Sequence, residues 1–376
     1  MKYNFDKVID RSGTSAEKVE GLKHIWGRTD LIPLWVADMD FATAPFVTDA
    51  IRKRCENEVL GYTGKPDSYY NAIINWVKQR YDLVVAKEMI NFVPGIVPGI
   101  GMAMNCFTQK GDKVMIQPPV YHPFAWVTTR NERTLVINPL KWENGMYRMD
   151  LDAFREQIKG CKLFILCNPH NPGGVVWTEA ELRAIADICY DEKVLVFSDE
   201  IHADLTLPPH THRPFATVSE KARMNSVTFM SPSKAFNMPG LSASHALIFN
   251  EDLRKRFRIY MDAGELDMGH VFAFLSVEAA YSHGTEWLDQ CLAYIQGNID
   301  FVDEFLKKHA PKIKAIRPEA SYLVWLDCRE LELSQKDLNE FFVDKAHLAL
   351  NDGEMFGKEG IGFMLSLIHI SEPTRP

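Results

Sequence analysis

The sequence predicts an α/β fold in which a largely parallel sheet lies between two layers of helices. Short, continuously apolar runs recur between about residue 45 and residue 285, and amphipathic helical stretches separate them. Continuous apolar runs are typical of strands buried on both faces, whereas half-exposed strands alternate apolar and polar residues. Strands that alternate with helices in this way favour a parallel sheet.

The predicted strands share this continuous apolar character, and they are Lys113–Gln117, Thr134–Ile137, Lys162–Cys167, Val194–Ser198, Ser226–Met230 and Ala246–Phe249. The predicted helices around them are Pro45–Leu60, Asp67–Arg80 and Thr178–Tyr190. Asp67 or Ser68 is expected to cap the second helix, and Thr178 with Glu181 forms a capping box at the third. Parallel sheets of this kind bind ligands beyond the carboxyl ends of their strands.

The length of 376 residues favours two domains. We expect a large domain over residues 46–285 and a small α+β domain from residues 1–45 and 286–364. A long helix, Thr285–His309, is predicted to connect them, followed by a strand at Tyr322–Asp327 and a helix at Ser334–Val343.

Composition excludes several classes of function. The net charge is −8 without a run of five like charges, so nucleic acid is not expected as a partner. No apolar stretch reaches about 18 residues and the first residues lack a signal-peptide core, so no membrane association is expected. The seven cysteines form no C-x-x-C pair, which suits reduced thiols in the cytoplasm. His210 and His212 lack further ligands nearby, so no metal site is expected.

Lys234 is the most informative candidate for chemistry. It lies in the segment S-P-S-K-A-F-N-M-P-G (231–240), directly after the predicted strand Ser226–Met230. A lysine is usually a solvated surface residue and a poor nucleophile at neutral pH. Held among small hydroxyl residues at a strand end, it is instead placed to form an imine and to act as a base.

Two further segments follow predicted strands. Asp199 lies in S-D-E-I-H, where it can pair with a protonated ring nitrogen, although a helix cap or a surface salt bridge is the ordinary alternative. Asn171 lies in N-P-H-N-P-G-G, where its amide can donate to a phenolate oxygen, although such segments also form plain turns. An amine, a carboxylate, an amide and hydroxyls are together the groups that a pyridoxal phosphate site requires.

The remaining candidates surround that cofactor. The backbone N–H groups of Ile96 and Val97, in a glycine-rich segment that opens a helix, can bind a phosphate, as can the hydroxyls of Ser231 and Ser233. A plain turn at residues 95–101 stays open. Tyr121 can stack on the cofactor ring, or it can be an ordinary packed aromatic residue. His202 can reach the phenolate side of the ring, or it can be a buried core histidine.

These motifs, with W-V-A-D-M-D-F (35–41) and G-Y-T (61–63), resemble the MalY/PatB-type cystathionine β-lyases. The resemblance covers residues 1 to about 364 and implies a fold-type I pyridoxal-phosphate enzyme of the class I/II aminotransferase superfamily. It assigns Lys234 and Tyr121 to catalysis, with Lys234 carrying the cofactor, Asp199 facing its ring nitrogen and Asn171 its O3′. It also implies a homodimer in which Tyr62 reaches the phosphate of the partner's site.

The resemblance implies a carbon–sulfur β-lyase that converts cystathionine, or a related cysteine S-conjugate, to a thiol, pyruvate and ammonia. Local residues do not separate this reaction from that of an aminotransferase, in which the same Cα carbanion is reprotonated. A regulatory protein-binding role on the same fold is the alternative of another class. Intact Lys234, Asp199 and Asn171 argue against a purely non-catalytic protein.

The chain departs from the family after Gly362-Phe363-Met364, where the family has an arginine that binds the substrate α-carboxylate. Leu365 stands there instead, and residues 365–376 resemble a translated sequencing adapter. We therefore exclude this segment from the predicted fold. We expect exposed apolar surface around Tyr322–Leu326, a tendency to aggregate and weak substrate binding.

Overall fold

The computed structural model describes residues 3–367. Its α-helices are α1 (Glu17–Trp26), α2 (Pro45–Cys55), α3 (Asp67–Tyr81), α4 (Ile96–Phe107), α5 (Pro123–Arg130), α6 (Leu151–Gln157), α7 (Glu179–Asp191), α8 (Glu220–Met224), α9 (Glu251–Ala263), α10 (Val271–His283), α11 (Thr285–His309) and α12 (Gln335–Glu340). Residues 368–376 of the expected adapter-like segment lie outside the described part.

The strands of the large sheet are β2 (Ile90–Val93), β3 (Lys113–Ile116), β4 (Thr134–Ile137), β7 (Cys161–Cys167), β8 (Leu195–Asp199), β9 (Ser226–Met230) and β10 (Ser244–Leu247). The shorter or peripheral strands are β1 (Ile32–Pro33), β5 (Lys141–Glu143), β6 (Met146–Arg148), β11 (Lys314–Ile316), β12 (Leu323–Asp327), β13 (Leu348–Ala349), β14 (Asn351–Asp352) and β15 (Phe363–Leu367).

The large sheet has the order β2-β10-β9-β8-β7-β3-β4. Every pairing from β9 to β4 is parallel, which confirms the predicted largely parallel sheet. Strand β10 runs antiparallel to both of its neighbours. Direction cannot be read from an apolar run, and the β9–β10 connection holds the lysine segment rather than a crossover helix.

Both faces of this sheet are buried, as the continuous apolar runs indicate. In β3, Val114 and Ile116 belong to a core shared with α4 and α9, whereas Met115 belongs to the core on the opposite face. Strand β7 divides in the same way, with Leu163 on the first face and Phe164 on the second. Successive side chains of a strand point to opposite faces, so the sheet is covered by helices on each side.

The end of α2 and the N-cap of α3 differ from the sequence predictions. The helix predicted for Pro45–Leu60 ends at Cys55, and residues 56–66 follow without helix or strand. Neither Asp67 nor Ser68 caps α3, because Pro66 holds the cap position and fixes the entering backbone. The capping box of α7 is confirmed, with Thr178 Oγ1 accepting from Glu181 N at 3.2 Å.

The last described residues correct another expectation. Leu365 to Leu367 continue β15, which pairs with β12 and β14 in a four-stranded sheet of order β11-β12-β15-β14. The apolar residues around Tyr322–Leu326 are therefore buried rather than exposed, and Trp325 is fully enclosed. The physical reason is that Leu365 and Leu367 are apolar and extended, and therefore complete the face that Phe363 begins.

Among residues 3–367, no helix is both long and apolar enough to cross a membrane.

Candidate active site

Three of the motifs lie together at the carboxyl ends of the parallel strands, because β7, β8 and β9 are neighbours and end side by side. In the strand register Asp199 is opposite Cys167 on β7 and Phe229 on β9. Asn168 N donates to Asp199 O at 2.9 Å, and Glu200 N donates to Phe229 O at 2.9 Å. The segments that carry Asn171, Asp199 and Lys234 therefore leave the sheet together, as expected for carboxyl ends of parallel strands.

Lys234 lies in a compact turn after β9 and keeps only part of its surface accessible. Its Nζ donates to Ala37 O at 2.5 Å. The surrounding protein lowers the pKa of Lys234 to about 8, because loss of hydration disfavours the charged amine more than the carboxylates of Asp38 and Asp199 favour it. The amine is therefore more often uncharged at neutral pH than that of a surface lysine.

Asp199 is only 3% exposed, and its Oδ1 accepts from Ile201 N at 3.1 Å. Burial raises the pKa of Asp199 to about 7, and the neighbouring charge of Glu200 adds to this effect, while Ile201 N and Lys234 oppose it. A buried carboxylate with this pKa is suited to pairing with a cationic partner.

Tyr121 and Asn171 lie beside this carboxylate. Burial raises the pKa of Tyr121 to about 12, and the charges of Asp199 and Cys167 contribute. The Asn171 backbone N–H donates to Cys167 Sγ at 3.3 Å, and its side-chain Oδ1 is buried without a hydrogen-bond partner among the described residues. A buried polar atom without a partner carries an energetic cost, so this amide is available for a ligand.

His202 is buried in the same neighbourhood. Burial, together with the smaller effect of the charge of Lys234, lowers the pKa of His202 to about 3. Its Nδ1 has no hydrogen-bond partner within residues 3–367. The imidazole is therefore neutral at pH 7 and lies close enough to Lys234 to interact with its charge.

The start of α4 lies at the same end of the sheet. Gly95 precedes α4 with φ +138°, a backbone conformation that side chains disfavour, and Ile96 begins the helix. Val93, which ends β2, is opposite Ser244 at the start of β10. Ser231 Oγ lies 2.7 Å from the adjoining Ala243 O and 2.9 Å from Ser233 Oγ. Two sets of donors therefore lie near this end of the sheet. They are the first-turn amides of α4, including that of Val97, and the hydroxyls of Ser231 and Ser233.

Comparison with known proteins identifies the family. The model of the family "Aminotransferase class I and II" matches residues 29–362. The cystathionine β-lyase PatB of Bacillus subtilis is 39% identical over 363 residues, which are 96% of this chain and 94% of PatB. The chain belongs to the aminotransferase class I and II family, in the branch of the PatB-type enzymes.

Two solved structures of similar sequence share its fold. A pyridoxal-phosphate-bound protein of Clostridium difficile 630, provisionally described as an aminotransferase, is 40% identical with a TM-score of 0.96, over 98% of this chain and 96% of that one. The pyridoxal-phosphate-bound C–S lyase of Staphylococcus hominis is 35% identical with a TM-score of 0.90, over 98% and 94%. These likenesses confirm the predicted fold-type I architecture.

The side chains present in this family member fit pyridoxal phosphate. Lys234 offers an amine of lowered pKa for the aldehyde carbon, and Asp199 offers a buried carboxylate for the ring N–H. The Asn171 side chain, whose Oδ1 has no partner among the described residues, is not committed within the protein, and its Nδ2–H group is the one that could donate to the O3′ of the cofactor. The first turn of α4 offers amides to a phosphate.

Tyr62 is placed differently from the other predicted residues. It is 98% exposed and therefore touches almost nothing in its own chain. With Lys65, Asp267 and His270 it lines a surface cavity of about 830 Å³. Within one chain, the structure does not bring Tyr62 to the group around Lys234.

The sequence prediction missed two contributors to the site. Tyr322 OH donates to Ala37 O at 2.9 Å, the same carbonyl that accepts from Lys234. Asn237 exchanges hydrogen bonds with Met39 at 2.8 and 2.9 Å and thereby fixes the segment over Lys234. The W-V-A-D-M-D-F segment (35–41) contains Ala37 and Met39 and could have indicated these contacts, but no chemical role was predicted for it.

Glu200 and His212 form a separate buried network. His212 Nε2 lies 2.8 Å from Glu200 Oε2, while Glu200 Oε1 accepts from Ser198 Oγ and from Phe215 N at 2.8 Å each. These contacts account for both side chains structurally, and they tie the proline-rich loop to the end of β8.

Proposed function

We propose that this protein is a pyridoxal-phosphate-dependent carbon–sulfur β-lyase. Its substrate is cystathionine or a related cysteine S-conjugate, and its products are a thiol, pyruvate and ammonia. One observation carries the proposal. Lys234 Nζ, with a pKa of about 8, lies at the carboxyl end of the parallel strands, where Asp199 also lies. The names of PatB and of the Staphylococcus hominis C–S lyase support this choice of reaction.

Lys234 is the residue proposed to move the proton. A lysine with a pKa of about 8 has about a tenth of its amine uncharged at pH 7, far more than an ordinary lysine. The uncharged Nζ removes the proton from the substrate Cα. The C–S bond at Cβ then breaks, the thiolate leaves, and the remaining three-carbon fragment takes up water to give pyruvate and ammonia.

Asp199 is proposed to hold a proton on the ring nitrogen of the cofactor. When bound, pyridoxal phosphate withdraws electrons from the substrate Cα, and a protonated ring withdraws them more strongly. The Asp199 carboxylate gains a cationic partner in that position. This pairing offsets the burial that raises its pKa to about 7 without such a partner.

The other residues are proposed to orient the cofactor. Asn171 donates its amide to O3′, with His202 on the same side, and Tyr121 stacks on the ring. The phosphate is bound by backbone N–H groups and hydroxyls, which come from Ile96, Val97, Ser231 and Ser233.

The assembly and compartment belong to the same proposal. We infer a homodimer in which Tyr62 contributes to the partner's site, because its side chain is 98% exposed beside a cavity of about 830 Å³. We also infer a cytoplasmic enzyme, because all seven cysteines are free thiols. We also propose that the chain divides into a large domain of residues 46–285 and a small domain of residues 1–45 and 286–364.

The proposal is tested with the purified full-length chain, pyridoxal phosphate and cystathionine. We expect pyruvate to form, and we expect borohydride reduction followed by peptide mapping to attach the cofactor to Lys234. Lys234→Ala should abolish both results. Lys255→Ala, which removes an exposed lysine paired with Glu251, is the matched control and should change neither. Labelling of another lysine, or pyruvate formation by Lys234→Ala, would refute the proposal.

A further inference from the structure

The segment of residues 34–41 is held over Lys234 by hydrogen bonds to its backbone. Ala37 O accepts from Lys234 Nζ at 2.5 Å. Asn237 Nδ2 donates to Met39 O at 2.9 Å, while Met39 N donates to Asn237 Oδ1 at 2.8 Å. The lysine loop and this segment are therefore joined at two places, and the position of the Ala37 carbonyl depends on how the segment is fixed.

Asp38, the next residue, lies in a cluster of charges. Arg11 binds its carboxylate with both terminal nitrogens, Nη1 to Oδ1 at 3.1 Å and Nη2 to Oδ2 at 2.7 Å. Lys18 is fully buried, and its Nζ donates to Asp38 O and to Asp40 Oδ1 at 3.0 Å each. A two-point contact from arginine fixes direction as well as distance. Asp38 is thus held at two groups, its carboxylate by Arg11 and its backbone carbonyl by Lys18.

The charge of Asp38 acts on Lys234. It favours the protonated amine and partly offsets the loss of hydration that lowers the Lys234 pKa. The other groups that face this amine are Asp199 from the end of β8, His202 from the loop that follows, and Tyr322 across Ala37 O. The pKa of His202, about 3, and the raised pKa of Tyr322 keep both neutral near pH 8. The charges that act on the amine directly are therefore those of Asp38 and Asp199. Arg11 and Lys18 act through their contacts with Asp38.

We propose that Asp38 is a positioning residue for Lys234: clamped by Arg11 and Lys18, it fixes the Ala37 carbonyl against Nζ and supplies a negative charge that Arg11 partly neutralises. The inference rests on the proposed role of Lys234. It makes two neighbours act in opposite directions, because Asp38 stabilises the charged amine and Arg11 weakens that effect. An ion pair whose charges do not reach the amine would produce neither shift.

The test is the pH dependence of Lys234 acetylation in the full-length, cofactor-free chain, read by mass spectrometry of its peptide. The wild-type midpoint is expected at about pH 8. Asp38→Asn should lower the midpoint by roughly half a unit to one unit, which makes labelling about three- to tenfold faster at pH 7. Arg11→Gln should raise the midpoint and slow labelling several-fold. Asp38→Glu, which keeps the charge, should restore most of the wild-type profile.

Asp30→Asn is the matched control, because Arg28 binds Asp30 with two nitrogens at 2.9 and 2.6 Å in the same N-terminal part of the chain. It should leave the midpoint unchanged. Shifts of the same sign in Asp38→Asn and Arg11→Gln, or no shift in either, would overturn the inference. Should Asp38→Asn fail to fold, the Arg11→Gln profile alone decides.

Because acetylation needs neither cofactor nor substrate, its result is independent of lyase turnover. Opposite shifts without pyruvate formation would refute only the proposed reaction. Pyruvate formation without opposite shifts would refute only the role of Asp38.

Discussion

Lys234 and Tyr322 donate hydrogen bonds to the same acceptor, the carbonyl oxygen of Ala37, at 2.5 and 2.9 Å. Lys234 follows β9 of the large sheet, whereas Tyr322 directly precedes β12 of the four-stranded sheet. One backbone carbonyl therefore links the proposed base to the sheet that carries Leu365. Displacement of that carbonyl should affect the amine as well as local stability.

Tyr322→Phe should lower both stability and turnover. The ring is fully buried, so phenylalanine keeps its place in the core and removes the hydroxyl that donates to Ala37 O. We expect a loss of about 1 kcal/mol in the free energy of unfolding. We also expect about a tenfold lower kcat, because the Ala37 carbonyl loses one of its two fixed donors. Denaturant unfolding and steady-state pyruvate formation measure the two effects.

Tyr69→Phe is the control for that change. Tyr69 is equally buried, but its hydroxyl has no hydrogen-bond partner within the described residues. Removing that hydroxyl should leave turnover unchanged and stability unchanged or slightly higher. Equal losses in the two variants would contradict the role assigned to the Ala37 carbonyl.

Asp199→Asn should reduce kcat strongly while the fold is retained. Asparagine keeps the shape and the contact with Ile201 N but cannot hold a proton on the ring nitrogen. We expect a decrease of at least a hundredfold, about 2.7 kcal/mol of barrier. Asp191→Asn, which alters an exposed carboxylate paired with Lys221, should have near-wild-type kcat. Near-wild-type turnover of Asp199→Asn would remove Asp199 from the proposed role.

Asp199 should also make the stability of the cofactor-free chain depend on pH. Its folded pKa of about 7 lies above the unfolded value of about 4, so between these values the folded state binds a proton that the unfolded state has lost. Stability from this group therefore falls as pH rises through that window. The folded pKa of Lys234, about 8, lies below its unfolded value of about 10.4, so this group gives a constant penalty within that window and changes stability with pH only between those two values, where stability rises.

Asp199→Asn should become more stable relative to wild type as pH rises from about 4 to about 7, by up to a few kcal/mol. Parallel urea unfolding curves at several pH values measure this difference. A constant difference across the window would show that Asp199 is not a carboxyl group of raised pKa.

Hybrid dimers should recover activity that neither parent has. If Tyr62 serves the partner's site, a Tyr62→Phe chain and a Lys234→Ala chain together form one site with both changes and one with neither. We expect up to half of the wild-type activity per purified heterodimer. Absence of any recovery in heterodimers verified by mass spectrometry would count against shared sites.

Leu365→Arg should improve substrate binding. Leu365 stands where the family resemblance places the carboxylate-binding arginine, and leucine offers no charge-assisted hydrogen bond. We expect a KM about tenfold lower for cystathionine. Leu365 and Leu367 are both buried on this face of β15, at 3% and 1% exposure, so either arginine should cost stability in the substrate-free chain. Leu367→Arg is the matched control and should leave KM unchanged, because its cation gains no ligand. Equal destabilisation without a lower KM in Leu365→Arg would refute this assignment.

Sequence patterns predicted the sheet and the neighbours of Lys234 because both follow from local features. Continuous apolar runs located β7, β8 and β9, and parallel strands necessarily bring their following motifs together. The direction of β10 was not predictable, because pairing direction depends on the connection and not on the run itself. The donors to Ala37 O were missed for a similar reason. Tyr322 lies 285 residues from Ala37, and no spacing rule joins them.

The ratio of thiol released to cystathionine consumed tests the central claim most directly. β-Elimination predicts one thiol, one pyruvate and one ammonia for each substrate lost, with all three absent in Lys234→Ala. Consumption that yields an oxo acid with its sulfur still attached, and no free thiol, would show transamination and contradict the proposed function.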